Sequence, residues 1–269
     1  MSNYEYGFIG TGNMGGALAK AAAKAVDPKR ILLANRTKEK AQRLAERLGC
    51  AWGVNEDAAG ARFIMLGVKP QMMADMLKGI APILAARQDR FVLVSMAAGL
   101  TMETICAMAG GDYPVIRIMP NTPVEIGKGV VLYDANDRVT ADELSGFLRA
   151  LGAAGSFERL EEKLIDAGSA ITGCGPAFAY LFIEALADGG VACGLPRAKA
   201  LSFAADMLEG AAALAGNSEK HPGALKDAVC SPAGSTIAGV RTLEQRAFRA
   251  AVIDAVIAAT ERTKELGKK

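Results

Sequence analysis

The sequence predicts an α/β fold in two parts, a parallel sheet covered by helices and then a region built of helices alone. Between residue 4 and about residue 157, short apolar runs typical of buried strands alternate with stretches of helical spacing. Beyond Phe157 only helical spacing remains. A glycine-rich turn lies between the first strand and the first helix. We therefore expect one domain at residues 1–158 and an all-helical domain at residues 159–269.

The glycine-rich turn, residues 10–15, predicts a nucleotide-binding site. Gly10 permits a tight turn, Gly12 leaves room for a pyrophosphate, and Gly15 allows the strand and the next helix to pack closely. That helix, residues 17–25, offers unpaired N–H groups and the positive end of its dipole to phosphates. Glycines of this spacing also serve ordinary turns, but the strand before them and the helix after them favour a Rossmann-type dinucleotide-binding domain.

The end of the second predicted strand, residues 30–34, indicates which dinucleotide binds. An NAD site usually carries Asp or Glu here to accept hydrogen bonds from the ribose 2′-hydroxyl. This chain instead has four residues without a negative charge, Asn35, Arg36, Thr37 and Lys38. Arg36 can donate two hydrogen bonds to the 2′-phosphate of NADPH, and Asn35 and Thr37 add neutral donors. The alternative is that Arg36 and Lys38 are solvated residues at a helix start, with Thr37 as the N-cap.

Four further strands are predicted by apolar runs at residues 62–68, 91–96, 115–119 and 129–133. The carboxyl ends of strands in such a sheet border the ligand crevice, and here they carry small or polar residues and turns. Two residues at these ends allow two interpretations each. Lys69 is either a proton donor or, as is commoner, an exposed lysine before a helix. Asn121 either shapes a turn between two prolines or borders the cofactor.

Composition and charge favour a soluble protein with a small-molecule partner. The chain has 269 residues, 51% of them apolar, and a formal net charge of +2, so we expect neither nucleic acid nor a membrane surface as a partner. The N-terminus lacks the basic and apolar segments of a signal peptide. The longest uncharged stretch, residues 167–183, contains Gly173 and Pro176, which would break a membrane-spanning helix. We therefore expect a cytoplasmic protein.

Five scattered cysteines and one histidine limit the chemistry that the chain can perform. The cysteines include no C-x-x-C pair and are expected to be reduced thiols. His221 alone cannot form a histidine-rich metal site, so we expect no metal. A Ser-His-Asp hydrolase is also disfavoured, because no strand, G-x-S-x-G turn and helix accompany this histidine.

The helical region contains a helix that is apolar around most of its circumference. Helices are predicted at residues 160–171, 177–193, 197–215 and 248–266. The second of them carries Phe178, Tyr180 and Leu181, and such a helix must be buried on several sides. A central position in one core is compatible with this pattern. The small size of the domain favours burial between the subunits of a homodimer.

A turn of small residues at 231–235, between two helical segments, is the second candidate site. A turn before a helix exposes several N–H groups, which suits a carboxylate. The hydroxyl groups of Ser231 and Thr236 add further donors. The alternative is an ordinary helix-turn-helix whose second helix is capped by these residues.

Six segments together form a pattern more specific than the glycine turn alone: GFIGTGNMG at 7–15, VKPQ at 68–71, MPNTP at 119–123, GCGPA at 173–177, HPGALKD at 221–227 and SPAGSTI at 231–237. In these segments, and along nearly its full length, the chain resembles the pyrroline-5-carboxylate reductase family. The resemblance implies an NAD(P)H-dependent oxidoreductase that reduces 1-pyrroline-5-carboxylate to L-proline with NADPH or NADH, the last step of proline biosynthesis. It also implies a Rossmann domain joined to a helical dimerisation domain, in a homodimer or a larger assembly of dimers.

The resemblance and the strand-end turns together give a set of expected site residues. We expect cofactor contacts at Gly10, Thr11, Gly12, Asn13, Met14, Gly15, Asn35, Arg36, Thr37, Asn55, Val68, Lys69, Pro70, Ala97, Ala98, Gly99 and Asn121. The family pattern implies substrate contacts at Glu219, Ser231, Gly234, Ser235 and Thr236. The chain has Cys174 where the family usually has Ser, and Ala233 where it often has Gly. Alanine has less backbone freedom than glycine, so the geometry of the second turn is affected.

The residue chemistry agrees with imine reduction. An imine carbon accepts hydride most readily when its nitrogen is protonated or hydrogen-bonded. We assign that hydrogen bond to Thr236, as the catalytic residue, and the substrate carboxylate to Ser231 and the N–H groups of the turn. Glu219 either stabilises the cationic ring or pairs with Lys220 or Lys226 at the surface.

Two other functions are compatible with the glycine-rich turn. A β-hydroxyacid dehydrogenase needs a lysine acid/base on the interdomain helix, and residues 168–180 contain no lysine. A non-catalytic NADP(H)-binding sensor would present its helical domain to a partner, but it would have no need of the turn at 231–236.

Overall fold

The computed structural model describes residues 4–267, and their contacts divide into two compact units. The first unit comprises the chain up to Cys174 together with its end from Ala259 onward, and the second comprises Gly175–Ala258. The contacts thus divide the chain after Cys174, whereas the change of periodicity predicts a boundary at 158/159. The difference arises because the helix Glu162–Thr172 packs on the sheet and so belongs to the first unit.

One eight-stranded sheet organises the first unit. Its strands are β1 (Tyr6–Ile9), β2 (Ile31–Ala34), β3 (Ala51–Gly53), β4 (Phe63–Leu66), β5 (Val92–Ser95), β6 (Val115–Met119), β7 (Gly129–Ala135) and β8 (Gly155–Arg159). They lie in the order β3-β2-β1-β4-β5-β6-β7-β8. Strand β1 is central, because Gly7 pairs with Leu32 of β2 on one side and with Ile64 of β4 on the other. This strand order, with β1 to β6 parallel, is that of a Rossmann-type domain.

The predicted α/β fold with a parallel sheet is confirmed, with two differences at the edges. Strand β7 runs antiparallel to β6, because a short connection containing the 3₁₀ turn Thr122–Ile126 returns the chain directly beside β6. Strands β3 and β8 were not predicted. Both lie at an edge of the sheet. Strand β3 is only three residues long and β8 has a single apolar residue, Phe157, so their sequences lack the signal of a buried strand.

Helices cover the sheet and form the second unit. Those of the first unit are α1 (Asn13–Ala22), α2 (Lys38–Leu48), α3 (Asn55–Ala58), α4 (Met73–Ala86), α5 (Met102–Ala109), α6 (Ala141–Leu151) and α7 (Glu162–Thr172). The second unit contains α8 (Gly175–Ala192), α9 (Arg197–Gly216), α10 (Pro222–Val229), α11 (Ser235–Gln245) and most of α12 (Phe248–Leu266). Helix α2 ends at Gly49, whose φ of +74° is the left-handed conformation of a C-cap glycine.

The core of the first unit lies on both faces of the sheet. Side chains alternate between the faces along each strand, so Tyr6 and Phe8 of β1 enter one apolar cluster and Ile9 enters the other. Tyr6 stacks on Phe63 of β4 with ring centroids 5.0 Å apart. Because both faces are covered, the central strands are apolar throughout, which is why the sequence reveals them.

A buried arginine connects α7 to the sheet. Arg117 on β6 is only 1% exposed, and it donates a hydrogen bond to Asp166 at 2.6 Å and lies 3.6 Å from Glu162. Glu162 also accepts a hydrogen bond from the backbone N–H of Met102 at the start of α5. Its own N–H donates to Asp134 of β7. Removing one member of such a buried network leaves the others unpaired, so α7 is held firmly on the sheet.

The second unit leaves many apolar side chains exposed in the single chain. On α8, Tyr180 is 59% and Leu181 is 65% exposed, and Ala187 is the one residue of this helix that is buried. Helix α8 is therefore not a core helix of one chain. The exposed apolar side chains of α8 are compatible with the predicted burial between subunits.

One stretch, Glu162–Ala192, is long and apolar enough to cross a membrane by length and composition. A single such stretch is weak evidence for a membrane span. It comprises α7 and α8, and α7 ends at Thr172 before the glycine break predicted there.

Helix α6 begins with a capping box that includes a buried carboxylate. The Thr140 side chain accepts a hydrogen bond from the N–H of Glu143, and the Glu143 side chain accepts one from the N–H of Thr140. Arg90 forms two hydrogen bonds with the same carboxylate, at 2.8 and 2.9 Å. These hydrogen bonds, that of Arg90 first, lower the pKa of Glu143 to about 2 despite its burial.

We expect Glu143→Gln to destabilise the protein at neutral pH by about 1–2 kcal/mol, because Arg90 loses its charged partner. The folded pKa of Glu143 lies below its ordinary value of 4.5, so its contribution is complete above pH 4.5 and is lost as pH falls toward 2. Thermal unfolding from pH 7 to pH 2.5 measures this. The difference in melting temperature between the wild type and Glu143→Gln should shrink on acidification. The control Asp142→Asn, at an exposed position, should unfold close to the wild-type temperature at neutral pH. A gap that does not change with pH would contradict this assignment.

Candidate active site

The glycine-rich turn is packed so tightly that two of its glycines have no room for a side chain. Gly10 has a φ of +96°, and a Cβ there would lie 2.6 Å from the carbonyl oxygen of Gly67 at the end of β4. A Cβ on Gly15 would lie 2.1 Å from the carbonyl oxygen of Gly10. At Gly12, by contrast, a Cβ would meet no atom within 4 Å. The open direction at Gly12 is the space that a bound phosphate would need.

The start of helix α1 presents donors without an internal acceptor. Its N-cap is Gly12, which has no side chain, and its first turn has no acidic residue. Beside it, the hydroxyl of Thr11 is buried and has no hydrogen-bond partner within residues 4–267. Free N–H groups, the positive end of the helix dipole and an unpaired hydroxyl together fit a phosphate of a dinucleotide.

Asn35 holds the glycine turn against the end of β2. Its Oδ1 accepts a hydrogen bond from the N–H of Thr11 at 3.2 Å, and its Nδ2 donates one to the carbonyl oxygen of Thr37 at 3.0 Å. Thr37 precedes α2 at the N-cap position, but in the described chain its side chain makes no capping hydrogen bond. The capping role considered for Thr37 is therefore not observed, and Arg36 and Thr37 are both exposed.

A cleft of about 660 Å³ lies along these elements, a size typical of small-molecule sites. Eight expected cofactor residues line it: Gly10, Gly12, Asn35, Arg36, Thr37, Asn55, Val68 and Lys69. The structure adds five residues that the sequence analysis missed: Lys40, Gly67, Met72, Asp75 and Met76. Lys40 lies four residues after Arg36, near the start of α2. Residues at this spacing share one face of a helix, so the sequence could have indicated that Lys40 lies beside Arg36. The lining thus contains three cations, which suits a phosphate-bearing cofactor.

The other expected cofactor residues lie outside the lining of this cleft, and two of them have structural roles. Asn121 is 6% exposed, donates to the carbonyl oxygen of Thr172 and accepts from the N–H of Val130, both at 2.9 Å. These bonds support the turn-shaping interpretation of Asn121. Gly99 has a φ of +74°, and a Cβ there would lie 2.7 Å from the backbone nitrogen of Gly267. The turn after β5 is therefore packed against the end of α12.

The second candidate site is the turn between α10 and α11. The N–H of Gly234 donates to the carbonyl oxygen of Ser231 at 3.0 Å and closes the turn. A Cβ on Gly234 would lie 2.3 Å from the Ser231 hydroxyl, so that side chain packs directly over the glycine. Helix α11 begins at Ser235 without a capping side chain or an acidic residue in its first turn. The N–H groups at Ser235 and Thr236 are thus available to an anion.

The residues just before α10 have different surroundings. His221 caps α10, because its Nδ1 accepts a hydrogen bond from the N–H of Gly223 at 3.0 Å. Glu219 is exposed and makes no ion pair within residues 4–267. Lys226, one of its two possible partners, pairs instead with Asp227 at 2.6 Å. The surface-pair interpretation of Glu219 is therefore not observed. No cluster of His, Cys, Asp and Glu suited to a metal occurs among the described residues.

Comparison with known proteins decides the family. Residues 162–266 match the family model for pyrroline-5-carboxylate reductase dimerisation, and residues 5–99 match that of the coenzyme F420-dependent NADP oxidoreductases. Pyrroline-5-carboxylate reductase of Pisum sativum is 39% identical over 98% of this chain and 96% of its own length. The Escherichia coli enzyme of the same name is 37% identical over 97% and 98%. The chain belongs to the pyrroline-5-carboxylate reductase family.

Solved structures of the family have the same fold along the whole chain. Plasmodium falciparum pyrroline carboxylate reductase, in a crystal structure with NADP bound, has a TM-score of 0.88 at 31% identity and covers 99% of both chains. The Streptococcus pyogenes 1-pyrroline-5-carboxylate reductase has a TM-score of 0.87 at 30% identity and covers 97% of this chain and 98% of its own. The predicted family, the Rossmann-type domain and the helical dimerisation domain are thereby confirmed.

Within the reductase family, Ala233 is the departure with a visible structural consequence. Its φ is +57°, a left-handed conformation that glycine adopts freely and alanine does not. The chain thus keeps the conformation expected of the family's usual glycine, at a cost of about 1–2 kcal/mol.

Two substitutions in the glycine-rich turn of this reductase separate its role in packing from its role in leaving room for a bound phosphate. Gly15→Ala should lower the melting temperature by several degrees, because its methyl group would overlap the carbonyl oxygen of Gly10. Gly12→Ala should unfold near the wild-type temperature, since its methyl group meets no protein atom. It should nevertheless weaken NADPH binding about tenfold or more by occupying the phosphate space.

Differential scanning fluorimetry gives the melting temperatures, and NADPH fluorescence titration gives the affinities. A Gly12→Ala protein that binds NADPH as the wild type does would show that the phosphate does not approach this backbone.

Proposed function

We propose that this reductase reduces the imine of 1-pyrroline-5-carboxylate to L-proline, with NADPH as hydride donor and NADH as a possible substitute. The observation that carries the proposal is the match to reductases of that name over nearly the whole of both chains. The chemistry of the two candidate sites supports it. One offers cations and free N–H groups to a dinucleotide, and the other offers N–H groups and hydroxyls to a small carboxylate.

The first unit holds the dinucleotide. The N–H groups of α1 and the open face of Gly12 take the pyrophosphate. Arg36, Lys40 and Thr37 take the 2′-phosphate, with Asn35 holding the turn that presents them. Contacts from other expected residues complete the site: Asn13, Met14, Asn55, Val68, Lys69, Pro70, Ala97, Ala98 and Gly99. When bound, the nicotinamide supplies a hydride to the imine carbon.

The turn of the second unit holds the substrate. The N–H groups at Ser235 and Thr236 and the hydroxyl of Ser231 hold the carboxylate, which determines the ring face presented for reduction. When the imine nitrogen is unprotonated, the Thr236 hydroxyl donates a hydrogen bond to its lone pair and so draws electron density from the carbon that accepts the hydride. Glu219, which has no ion-pair partner in the described chain, lowers the energy of the cationic ring.

The reductase works as a homodimer or a larger assembly of dimers. The apolar side chains of α8 have no cover in the single chain, and exposed apolar surface of this extent marks an association site. Residues 162–266, which include this helix, match a dimerisation model. We place the protein in the cytoplasm, as an enzyme of proline biosynthesis without a nucleic-acid or membrane partner, in keeping with its net charge of +2.

Consumption of NADPH in the presence of 1-pyrroline-5-carboxylate tests the proposal. The nicotinamide absorbance should decay only when the imine is present, and L-proline should accumulate in equal amount. A protein that binds NADPH normally but leaves it unoxidised with this imine would instead be a dinucleotide sensor.

We expect Thr236→Ala to lower kcat by about a hundredfold, because the imine nitrogen loses its hydrogen-bond donor. NADPH affinity should stay within twofold of wild type, since Thr236 is not part of the nucleotide cleft. Thr242→Ala is the matched control, because it removes a threonine hydroxyl that donates to the carbonyl oxygen of Ala238 within the same helix. Unaltered turnover in Thr236→Ala would remove this hydroxyl from the mechanism.

We expect Arg36→Ala to weaken NADPH binding about tenfold or more and NADH binding much less, because only NADPH carries the 2′-phosphate. Titrations with both nucleotides measure the two dissociation constants. Lys38→Ala is the control for general electrostatics, since this neighbouring cation lies outside the lining of the cleft. Equal weakening of NADPH and NADH by Arg36→Ala would contradict its role as selector.

A further inference from the structure

One wall of the cofactor cleft, formed by the start of α4, has no part in the proposed binding of phosphates. Three residues of the lining lie on it: Met72, Asp75 and Met76. Asp75 and Met76 follow Met72 by three and four residues, so the three share one face of the helix. Met73 and Leu77 of the same helix are buried in the apolar core. The packing of the core therefore fixes the wall that α4 presents to the cleft.

Asp75 is an acidic residue in a lining whose other charged residues are cations. Those cations are Arg36, Lys40 and Lys69. The Asp75 side chain is exposed, and it forms no ion pair and no side-chain hydrogen bond within residues 4–267. A carboxylate placed beside a phosphate repels it. The Asp75 carboxylate is therefore suited to a part of the cofactor that carries no negative charge and can donate a hydrogen bond.

The topology of the sheet leaves the α4 wall to the base of the dinucleotide. Open α/β sheets bind ligands in the crevice where the strand order reverses, which here lies between β1 and β4. The pyrophosphate is assigned to Gly12 and the 2′-phosphate to Arg36, in the turns after β1 and β2. Adenine is bonded to the ribose that carries this 2′-phosphate, so it extends into the rest of the same cleft, which Val68, Met72 and Met76 line. This step rests on the proposed function.

We propose that the Asp75 carboxylate accepts a hydrogen bond from the exocyclic amino group of adenine, and that Asp75 thereby determines which base the reductase accepts. This amino group distinguishes adenine from hypoxanthine, which carries a carbonyl oxygen at the same ring position. Met72 and Met76 supply the apolar, polarizable surface that packs well against an aromatic ring. A carbonyl oxygen facing Asp75 would place two acceptors against each other and leave both without a donor.

The position of Asp75 in its helix is also compatible with a purely structural role. Asp75 lies in the first turn of α4, where a negative charge interacts favourably with the helix dipole. Loss of that interaction would lower the stability of the protein and would weaken the binding of every dinucleotide alike. It would not change the ratio of the affinities for two dinucleotides that differ only in the base.

Fluorescence titration of the full chain with NADPH and with its analogue, reduced nicotinamide hypoxanthine dinucleotide phosphate, measures that ratio. The wild type should bind NADPH more tightly by about tenfold or more, as expected for a hydrogen bond to a charged acceptor. In Asp75→Asn the ratio should fall to about threefold or less, because an amide can accept from an amino group or donate to a carbonyl oxygen. Melting temperatures of both proteins show whether the variant is folded.

Glu39→Gln is the matched control. It removes the acidic residue in the first turn of α2, the helix that carries Lys40, at an exposed position outside the lining of the cleft. This variant should keep the wild-type ratio, since it changes the charge near the cleft without touching the base. Three results would overturn the assignment: equal affinities of the wild type for the two dinucleotides, a wild-type ratio in Asp75→Asn, and an equal fall of the ratio in both variants.

These titrations need no imine, so their outcome is separate from that of the reductase assay. A wild-type protein that does not bind NADPH would refute the proposed cofactor and the role of Asp75 together. A wild-type protein that binds NADPH tightly but shows no preference between the two bases would refute the role of Asp75 alone.

Discussion

The nucleotide site depends on a contact between backbones at the end of β1. The carbonyl oxygen of Gly10 lies so close to Gly15 and Gly67 that a Cβ on either would approach it to 2.1 and 2.5 Å. This approach brings the start of α1 against the ends of two adjacent parallel strands, β1 and β4. The free N–H groups of the helix consequently point over the carboxyl edge of the sheet, which is where open α/β sheets bind ligands. A methyl group at the contact would move the helix and the donors together.

Two kinds of charge can be distinguished in the first unit by burial and partners. Arg117 and Glu143 are buried and paired with opposite charges, and each attaches a helix to its surroundings. Arg36 and Lys40 are exposed, line a cleft and form no ion pair among the described residues. Buried pairs of the first kind hold the fold, because removing one member leaves an uncompensated charge. Cations of the second kind remain available to phosphates.

The second unit shows the opposite balance between burial and exposure. Its helices expose large apolar side chains, Tyr180 and Leu181 of α8 among them, and few of their residues are buried in the single chain. Such a surface is unfavourable in water until another apolar surface covers it. The turn proposed to bind the substrate lies between α10 and α11 of this same unit. The proposed assembly therefore also affects the surroundings of that turn.

The sequence by itself determined whatever depends on local conformation. Glycine spacing, apolar strands and the ends of helices are decided by neighbouring residues, so the turn at 10–15 and the bounds of α12 could both be predicted. The family resemblance, carried by short motifs, was equally accessible.

Only the tertiary structure decided features that depend on distant partners. The direction of β7 follows from its pairing with β6, and the edge strands β3 and β8 exist because of their neighbours rather than their apolarity. Asn121 shapes its turn through residues on two other elements, and Lys40 enters the cofactor cleft only because α2 lies beside the glycine turn. Contacts between residues far apart in the chain leave no periodic signal, which is why these features became visible only in three dimensions.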